Sequence, residues 1–305
     1  MDASTKSITT LIPDIYKLLE TKDGWFTEVL ATDLSVDIAA RLRGQLSQGV
    51  ADQGSDTSTI KGSLRLSKMG TGCPCALWYS VNHPHLQETL PSWATIKFSF
   101  GHILEAYITA LAKAAGHEVT GEQDEVIVDG IRGHRDCVID GCIVDVKSAS
   151  TYMFNRIRQG QGLAEDPFIN SYLAQLDGYL VGSANDDLVR CKDRGYILAV
   201  DKTLGHLCLY EHRLREQFIR ERISEAKRIV SLRNPPQCSC GTVPDGKSGN
   251  IRLDTKASYN SYKYCCRPSL RTFLYSDGPR YLTKVVRKPD VPEIDRLGRI
   301  VYNVQ

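Results

Sequence analysis

The spacing of apolar residues predicts helices at the start of the chain. The stretches IPDIYKLL and VDIAARLRGQL, within residues 8–49, carry their Ile, Leu and Val residues at helical intervals. The polar run ADQGSDTSTIKGS, residues 51–63, lacks this spacing and predicts a connecting loop. Helical spacing returns at residues 98–115. Gly116 predicts the end of that helix, because glycine readily adopts the left-handed backbone that often closes one.

Alternation of apolar and polar residues predicts strands in the middle of the chain. HEVTGEQDEVIVDG predicts a strand, a turn and a strand, and GHRDCVIDGCIVDVKSAS, residues 133–150, predicts a hairpin that turns at Asp140-Gly141. A helical region covers residues 150–182, a second hairpin lies in GYILAVDKTLGHLCLYEH, and a last helix ends before Pro235-Pro236. This order predicts an α/β fold, in which helices flank a mixed central sheet.

These patterns divide the chain into three predicted regions. Residues 1–62 form an N-terminal helical region and linker, residues 63–235 form the α/β core, and residues 236–305 form a loop-rich, basic lobe that contains cysteine. Hydrophobic residues make up 42% of the chain and charged residues 24%, as in ordinary globular proteins. No apolar run approaches the roughly 18 residues of a membrane helix, and the start of the chain has no signal pattern. We therefore expect a cytoplasmic protein with no membrane partner.

The positive charge of the chain is concentrated near its C-terminal end. Residues 246–288 contain ten Lys or Arg and two Asp, whereas the whole chain carries a net charge of only +2. Six aromatic residues are interleaved with these charges. A basic segment with aromatic residues suits a phosphate backbone and exposed bases. A solvated surface that covers core tyrosines explains the same pattern, so both interpretations remain open.

Two acids and a lysine stand among the apolar residues of the first hairpin. Asp145 and Lys147 are two residues apart on one strand, so their side chains share a face. Asp136 falls opposite Asp145 if the Asp140-Gly141 turn pairs the strands symmetrically. Two carboxylates that lie so close repel each other unless a cation lies between them. Mg²⁺ suits this position because it takes hard oxygen ligands, and Glu105 on the preceding helix supplies a further carboxylate.

An Asp-x-Lys pair by itself is more typical of a solvated strand face, and the order of several motifs is what makes it informative. Glu105, Asp136, the DVK at residues 145–147, and Gln175-x-x-x-Tyr179 follow the order of the PD-(D/E)xK nuclease superfamily. The set resembles its lambda-exonuclease and RecB-type branch. The stretches FGHILEAYITALAKAAGHEV, GHRDCVIDGCIVDVKSAS, YLAQLDGYL and GPRYLTKV resemble bacteriophage-encoded exonucleases of that branch. The resemblance spans residues 62–290.

The resemblance implies a restriction-endonuclease-like core and a deoxyribonuclease that depends on Mg²⁺ or Mn²⁺. The implied metal ligands are Glu105, Asp136 and Asp145. Lys147 is implied to act on the attacking water. Gln175 and Tyr179, one helical turn apart, are implied to lie near the active site and the DNA strand, and ordinary helix packing is the alternative for this pair.

The implied function is a phage-encoded DNA exonuclease that serves recombination, replication or degradation of DNA in the host cytoplasm. Two alternatives stay open, a structure-specific endonuclease with the same chemistry and a catalytically weak DNA-binding recombination partner. The expected partners are DNA, as linear duplex or single-stranded ends, and a phage single-strand-binding or annealing protein. A homo-oligomer is also an expectation, because lambda-type relatives form rings around DNA.

Ten cysteines provide a second candidate site. In a cytoplasmic protein, clustered cysteines indicate metal or redox chemistry more than disulfides. The chain carries three such pairs, Cys73 with Cys75, Cys238 with Cys240, and Cys265 with Cys266. The other four have apolar or strand-like neighbours and are predicted to be small core residues. They are Cys137, Cys142, Cys191 and Cys208.

Relatives of the RecB-type branch often hold a [4Fe–4S] cluster with one early cysteine and three late ones. In this chain Ala257 and Asn260 stand where two of the late cysteines are expected, and Cys266 matches the last. The predicted thiolate set is Cys238, Cys240, Cys265 and Cys266, with Cys73 or Cys75 as further candidates. Adjacent cysteines and C-x-C spacing suit a single metal poorly. Zinc, an iron–sulfur cluster and no metal therefore all remain open.

Overall fold

The computed structural model describes residues 6–21, 24–47, 61–70, 72–89 and 92–301, so most of the loop predicted at residues 51–63 lies outside the described residues. The helices, in chain order, are α1 (Leu11–Glu20), α2 (Glu28–Ser47), α3 (Pro74–Asn82), α4 (Ser92–Ala114), α5 (Thr151–Gln159), α6 (Pro167–Gly182), α7 (Glu216–Ser231), α8 (Thr255–Ser258) and α9 (Lys263–Cys266). The strands are β1 (Val119–Thr120), β2 (Glu125–Val128), β3 (Ile131–His134), β4 (Cys137–Ile139), β5 (Cys142–Ala149), β6 (Arg194–Asp201), β7 (Leu207–Arg213), β8 (Thr242–Pro244), β9 (Ile251–Leu253), β10 (Arg271–Tyr275), β11 (Gly278–Lys284) and β12 (Glu293–Ile294). Within the described ranges, no helix has both the length and the apolar character needed to cross a membrane.

The described residues divide into two compact units. Of the described residues, the first unit contains 6–21, 24–47, 65–70 and 92–221, and the second contains 61–64, 72–89 and 222–301. The first unit therefore contains the N-terminal helices together with α4 to α6 and β1 to β7. The second contains the three cysteine pairs and β8 to β12. The borders predicted at residues 62 and 235 stay a prediction.

The first unit is built on a five-stranded mixed sheet with the order β1-β4-β5-β6-β7. Strands β5 and β6 are parallel, and every other neighbouring pair in this sheet is antiparallel. The predicted α/β class is confirmed. Because a parallel pair needs a crossover connection, the chain between β5 and β6 passes through α5 and α6. The helical region predicted at residues 150–182 is split there, since Gly160 ends α5 in a left-handed conformation with φ of 70°.

The hairpin of β4 and β5 has the register that the sequence predicts. Ile139 pairs with Cys142 and Cys137 pairs with Val144, which leaves a two-residue turn at Asp140-Gly141. Both turn residues have positive φ, 50° for Asp140 and 78° for Gly141, as a tight hairpin of this length requires. The same register carries Asp136, one residue before β4, to the position beside Asp145.

An apolar core covers one face of this sheet. Buried residues of α1 and α4 pack against alternate residues of β5 and β6, namely Leu11, Ile15, Ile108, Leu111, Val144, Val146, Leu198 and Val200. Side chains along a strand alternate between its two faces. Since Val144 and Val146 point into this core, Asp145 and Lys147 must point to the other face of the sheet, where α6 packs.

The structure adds two features to the predicted fold, one at the core cysteines and one in the C-terminal lobe. Cys137, Cys142 and Cys208 are buried as predicted, and Cys191 is half-buried against the same core. Cys142 and Cys191 are also joined by a disulfide, which was not predicted from the sequence. The lobe predicted as loop-rich contains an antiparallel sheet with the order β12-β10-β11-β9-β8. Its strands are two to seven residues long. Such short strands give too few alternating positions to stand out in the sequence.

Candidate active site and cysteine cluster

Asp145 and Lys147 form a buried ion pair on β5. Lys147 Nζ lies 2.8 Å from Asp145 Oδ2, and the Asp145 side chain is fully buried. The same ammonium lies 5.3 Å from the centre of the Tyr172 ring on α6, within the range of a cation–π contact. Asp145 is therefore held between the sheet and α6, with a cation on one side.

Asp136 completes an acidic pair at the start of β4. Its Oδ2 accepts a hydrogen bond from the backbone N–H of Val146 at 2.8 Å, which fixes the carboxylate against β5 between the two charged residues of that strand. This contact follows from the hairpin register, because Asp136 lies one pair beyond Cys137 and Val144. The structure thus brings Asp136, Asp145 and Lys147 together as the sequence predicts.

The electrostatic environment of Asp145 is unfavourable for a bare carboxylate. Burial raises its pKa to about 7, the Lys147 ammonium opposes the rise, and the neighbouring Asp136 carboxylate adds to it. Its Oδ2 is paired with the Lys147 ammonium, and its Oδ1 has no hydrogen-bond donor among the described residues. Burial also works to lower the pKa of Lys147, but the charges of Asp145 and Asp136 outweigh it and raise that pKa. Lys147 is therefore an ammonium in the metal-free protein.

Glu105 on α4 lies near this pair but is engaged elsewhere. Its Oε1 accepts hydrogen bonds from Arg41 of α2 and from Gln123, the latter at 2.8 Å. Burial raises the pKa of Glu105 to about 7, Asp136 adds to the rise, and Arg41 opposes it. Over the described residues, the oxygens of Glu105, Asp136 and Asp145 do not form one compact three-ligand set. Glu105 would need to turn away from Arg41 to join the other two carboxylates.

Gln175 and Tyr179 lie on the side of α6 that faces the acids. Gln175 Nε2 donates a hydrogen bond of 2.6 Å to the Tyr179 hydroxyl. Burial, together with the charge of Asp145, raises the pKa of Tyr179, so its hydroxyl stays protonated. Tyr179 also packs closely on β3: a Cβ atom at Gly133 would lie 2.8 Å from the tyrosine ring. Both interpretations of this pair therefore fit the structure, because Tyr179 packs against β3 and also lies beside the acids.

The acidic pair fits a divalent cation. A buried carboxylate without hydrogen-bond donors costs several kcal/mol unless a cation offsets it. Oδ1 of Asp145 has no donor among the described residues, and Asp136 supplies a second hard oxygen ligand beside it. Mg²⁺ and Mn²⁺ take carboxylate oxygens together with several waters, so two or three protein ligands suffice.

The raised pKa of Asp145 predicts that the metal-free protein loses stability as the pH rises. The usual pKa of this side chain is 3.8 and the folded value is about 7. Between these values the folded state holds a proton that the unfolded state has lost. This bound proton contributes fully to the free energy of unfolding below about pH 4, and the contribution is lost as the pH rises through about 7. We therefore expect the free energy of unfolding to fall by on the order of 2 kcal/mol between pH 5.5 and pH 8. Urea unfolding in EDTA at both pH values would measure it.

A matched variant tests whether Asp145 causes this pH dependence. Asp145→Asn cannot titrate, so its free energy of unfolding should change less between the two pH values than that of the natural protein. An identical pH dependence in both proteins would contradict the assignment.

Four cysteines of the second unit form a compact cluster. The Sγ atoms of Cys73, Cys238, Cys240 and Cys266 all lie within 4.8 Å of one another. Cys73 precedes α3, Cys238 and Cys240 lie in the loop before β8, and Cys266 ends α9. The predicted thiolate set contained three of these four, Cys238, Cys240 and Cys266, and Cys73 was a further candidate.

Cys265 and Cys75 lie outside the four-sulfur cluster. The Cys265 sulfur is directed to the carbonyl oxygen of Leu86 at 3.9 Å. Successive residues of a helical turn point about 100° apart, so Cys265 and Cys266 do not face the same point. The Cys75 thiol is buried on α3 and interacts with the Cys266 thiol, but only Cys73 of that pair belongs to the compact set.

The basic segment at residues 246–288 is partly neutralised within the second unit. At least four of its ten basic residues form ion pairs with acids that lie outside the segment. These pairs are Arg252–Asp245, Arg280–Asp245, Lys263–Glu88 and Arg271–Glu293. At these four positions the ion pairs favour the interpretation of an internally balanced surface over that of an open phosphate-binding one.

Three residues that contact the site residues were not predicted, because nothing in the sequence pattern distinguishes them. Arg41 lies in an ordinary helical pattern, Gln123 lies in a turn, and Tyr172 is one of fourteen tyrosines. Each reaches the site only through tertiary packing, Arg41 and Gln123 at Glu105 and Tyr172 at Lys147. No spacing rule connects such distant positions.

No sequence model of a protein family matches the chain, and no curated protein matches it. Six chains of solved structures do match. One is SSO0001, at 15% identity and a TM-score of 0.40, with 75% of this chain and 95% of that chain covered. Another is an alkaline exonuclease, LHK-Exo from Laribacter hongkongensis, at 14% identity and a TM-score of 0.39, with coverages of 56% and 87%. The complex of LHK-Exo with dAMP gives 13% identity, a TM-score of 0.38 and the same coverages.

Proposed function

We propose that this protein is a deoxyribonuclease that uses a divalent cation to hydrolyse phosphodiester bonds, and that it acts as an exonuclease on DNA ends. One observation carries the proposal. The fully buried Asp145 carboxylate lies beside the Asp136 carboxylate, and the Lys147 ammonium lies 2.8 Å from its Oδ2. The two carboxylates can bind a divalent cation, and the ammonium beside them can contact the phosphate group that the cation attracts.

Each residue of the site has a role that follows from its contacts. Asp136 and Asp145 would hold Mg²⁺ or Mn²⁺, and Glu105 would join them after leaving Arg41. When bound, the cation would polarise the scissile phosphate and make a water molecule more acidic. Lys147 would orient that water and stabilise negative charge on the phosphate, because its ammonium already faces the acids.

Gln175 and Tyr179 are proposed to hold the DNA strand beside the acids. The Tyr179 hydroxyl accepts a hydrogen bond from Gln175, so its own proton is free to be donated to a phosphate oxygen. The second N–H of the Gln175 amide is a further donor that the DNA strand could use. Both groups are neutral, so they would position the strand without competing for the cation.

The finer parts of the proposal rest on the resemblance of several stretches to phage exonucleases. This resemblance favours a role in phage DNA recombination, replication or degradation. The proposed partners are DNA ends, a phage single-strand-binding or annealing protein, and further copies of the chain. Of the two metals, Mg²⁺ is the proposed physiological one, because it keeps the water molecules that hydrolysis requires.

Purified protein incubated with end-labelled linear DNA and with covalently closed circular DNA tests this function. We expect Mg²⁺ to support degradation of the linear DNA and EDTA to abolish it, while the circle stays intact. Ca²⁺ should support binding with little cleavage, because its longer and looser coordination places the attacking water poorly.

The other outcomes identify the alternatives. Nicking of the circle would replace the exonuclease with an endonuclease of the same chemistry. Binding without cleavage of either DNA, with Mg²⁺ and with Mn²⁺, would overturn the nuclease proposal in favour of a DNA-binding recombination partner.

A further inference from the structure

The four-sulfur cluster is too compact for the iron–sulfur cluster that the resemblance implies. In a tetrahedral site with metal–sulfur bonds of about 2.3 Å, the sulfurs lie roughly 3.8 Å apart. Here all four Sγ atoms lie within 4.8 Å of one another, and those of Cys73 and Cys238 are 4.0 Å apart. A [4Fe–4S] cluster places four irons between its cysteine sulfurs and needs them farther apart.

The ligand set also differs from the one that the resemblance implies. Ala257 is buried and Asn260 is half-buried at the two positions where late cysteines are expected. Cys238 and Cys240, from a different segment, supply the two missing sulfurs. The backbone N–H of Cys240 donates to the Cys238 sulfur at 3.4 Å, so the C-x-C segment is already folded to present both sulfurs.

Asn260 is oriented as a donor to this cluster. Its Oδ1 accepts a hydrogen bond from the backbone N–H of Tyr262 at 2.9 Å, which fixes the amide and points Nδ2 at the sulfurs. Nδ2 lies 3.4 Å from the Cys240 sulfur and 3.5 Å from the Cys266 sulfur. An amide donor to two thiolates offsets part of their negative charge, as donors around metal sites commonly do.

The surroundings suit a site that carries net negative charge. Cys73 lies at the N-terminus of the nine-residue helix α3, where the helix dipole favours a thiolate. The guanidinium of Arg267 donates to the carbonyl oxygen of Cys240 at 3.0 Å and brings a positive charge next to the cluster.

We propose that Cys73, Cys238, Cys240 and Cys266 hold a single zinc ion in a tetrahedral site, and that Asn260 stabilises the site through N–H···S hydrogen bonds. Zinc is the preferred ion because it takes four thiolates without a redox requirement. The ion ties together three segments of the second unit that are far apart in sequence. This proposal is independent of the nuclease function, since it concerns other residues and needs no DNA.

Metal analysis of the full-length protein, purified without oxygen, tests the identity of the ion. We expect about one zinc per chain, with no acid-labile sulfide and no iron–sulfur absorption. Replacement by Co²⁺ should give the visible bands of a tetrahedral cobalt thiolate site. Iron with stoichiometric sulfide would overturn the proposal, and so would a natural protein that contains no zinc and binds no Co²⁺.

Cysteine variants test the ligand set. Cys266→Ser should weaken Co²⁺ binding by at least about 100-fold. The adjacent Cys265→Ser is the matched control and should bind Co²⁺ as the natural protein does. Should Cys266→Ser not fold, the cobalt spectrum of the natural protein and of Cys265→Ser still decides the geometry and the role of Cys265. Loss of the ion from Cys265→Ser would overturn the proposed set.

The role of Asn260 has its own readout, the rate at which a chelator removes zinc. Asn260→Ala should release zinc about 10-fold faster than the natural protein, because both sulfurs lose their donor. The neighbouring Ser258→Ala, whose hydroxyl bonds to a carbonyl oxygen and not to sulfur, should release it at the natural rate. Equal rates in the natural protein and Asn260→Ala would show that Asn260 merely fills space.

Discussion

Asp145→Asn is expected to lower the rate of DNA hydrolysis by at least about 1,000-fold while the protein stays folded. The change keeps the size of the side chain and removes its charge. Asp145 is fully buried beside Asp136, so no other described carboxylate is placed to take over its position. Without it, the cation that the proposed chemistry requires has lost a central ligand.

Thermal unfolding separates this loss from a general defect. Mn²⁺ should raise the Tm of the natural protein, because a ligand that binds only the folded state stabilises it. The Tm of Asp145→Asn should not respond to Mn²⁺. Asp187→Asn, at an exposed position with no role in the site, is the control and should keep both the activity and the response. An active Asp145→Asn protein would remove the proposed site.

Lys147→Ala is expected to lower cleavage by about 100-fold or more and to leave DNA binding in Ca²⁺ nearly unchanged. The ammonium is the only cation within 4 Å of the buried Asp145 among the described residues. Its removal should also raise the pKa of Asp145 further, because the ammonium opposes the rise that burial causes. The metal-free variant should therefore lose more stability than the natural protein between pH 5.5 and pH 8.

Lys147→Arg distinguishes the two effects. Arginine keeps the positive charge beside Asp145, so it should restore much of the stability, but its planar group is unlike a compact ammonium and should not restore cleavage. Lys202→Ala, at an exposed lysine directly after β6, is the matched control for both measurements. Full activity in Lys147→Ala would contradict the role assigned to the ammonium, whatever its stability.

The acidic site could be predicted because local rules fix its geometry. Asp140-Gly141 specifies a two-residue turn, the turn specifies the register, and strand alternation then brings Asp136, Asp145 and Lys147 together. Helical periodicity likewise places Gln175 and Tyr179 on one face of α6. Each of these steps spans only a few residues.

Contacts between distant segments could not be predicted in this way. The approach of Arg41 to Glu105 spans 64 residues, and that of Cys73 to Cys238 spans 165. The sequence pattern matched Cys266 and kept Cys265 in the predicted set, and only the turn of α9 directs Cys265 away from the other sulfurs. The short strands β8 to β12 were missed because pairing with neighbours, more than their own alternation, makes them strands.

The two-residue turn between β4 and β5 has a consequence for how related chains can vary. Because side chains alternate, one inserted or deleted residue at Asp140-Gly141 would either shift the pairing by one place or force a bulge. A shift in β5 would send Val144 and Val146 towards α6 and bury Asp145 and Lys147 among the apolar residues of α1 and α4. Changes of length should therefore accumulate in other loops, and homologues that keep the chemistry should have the same number of residues between their two aspartates.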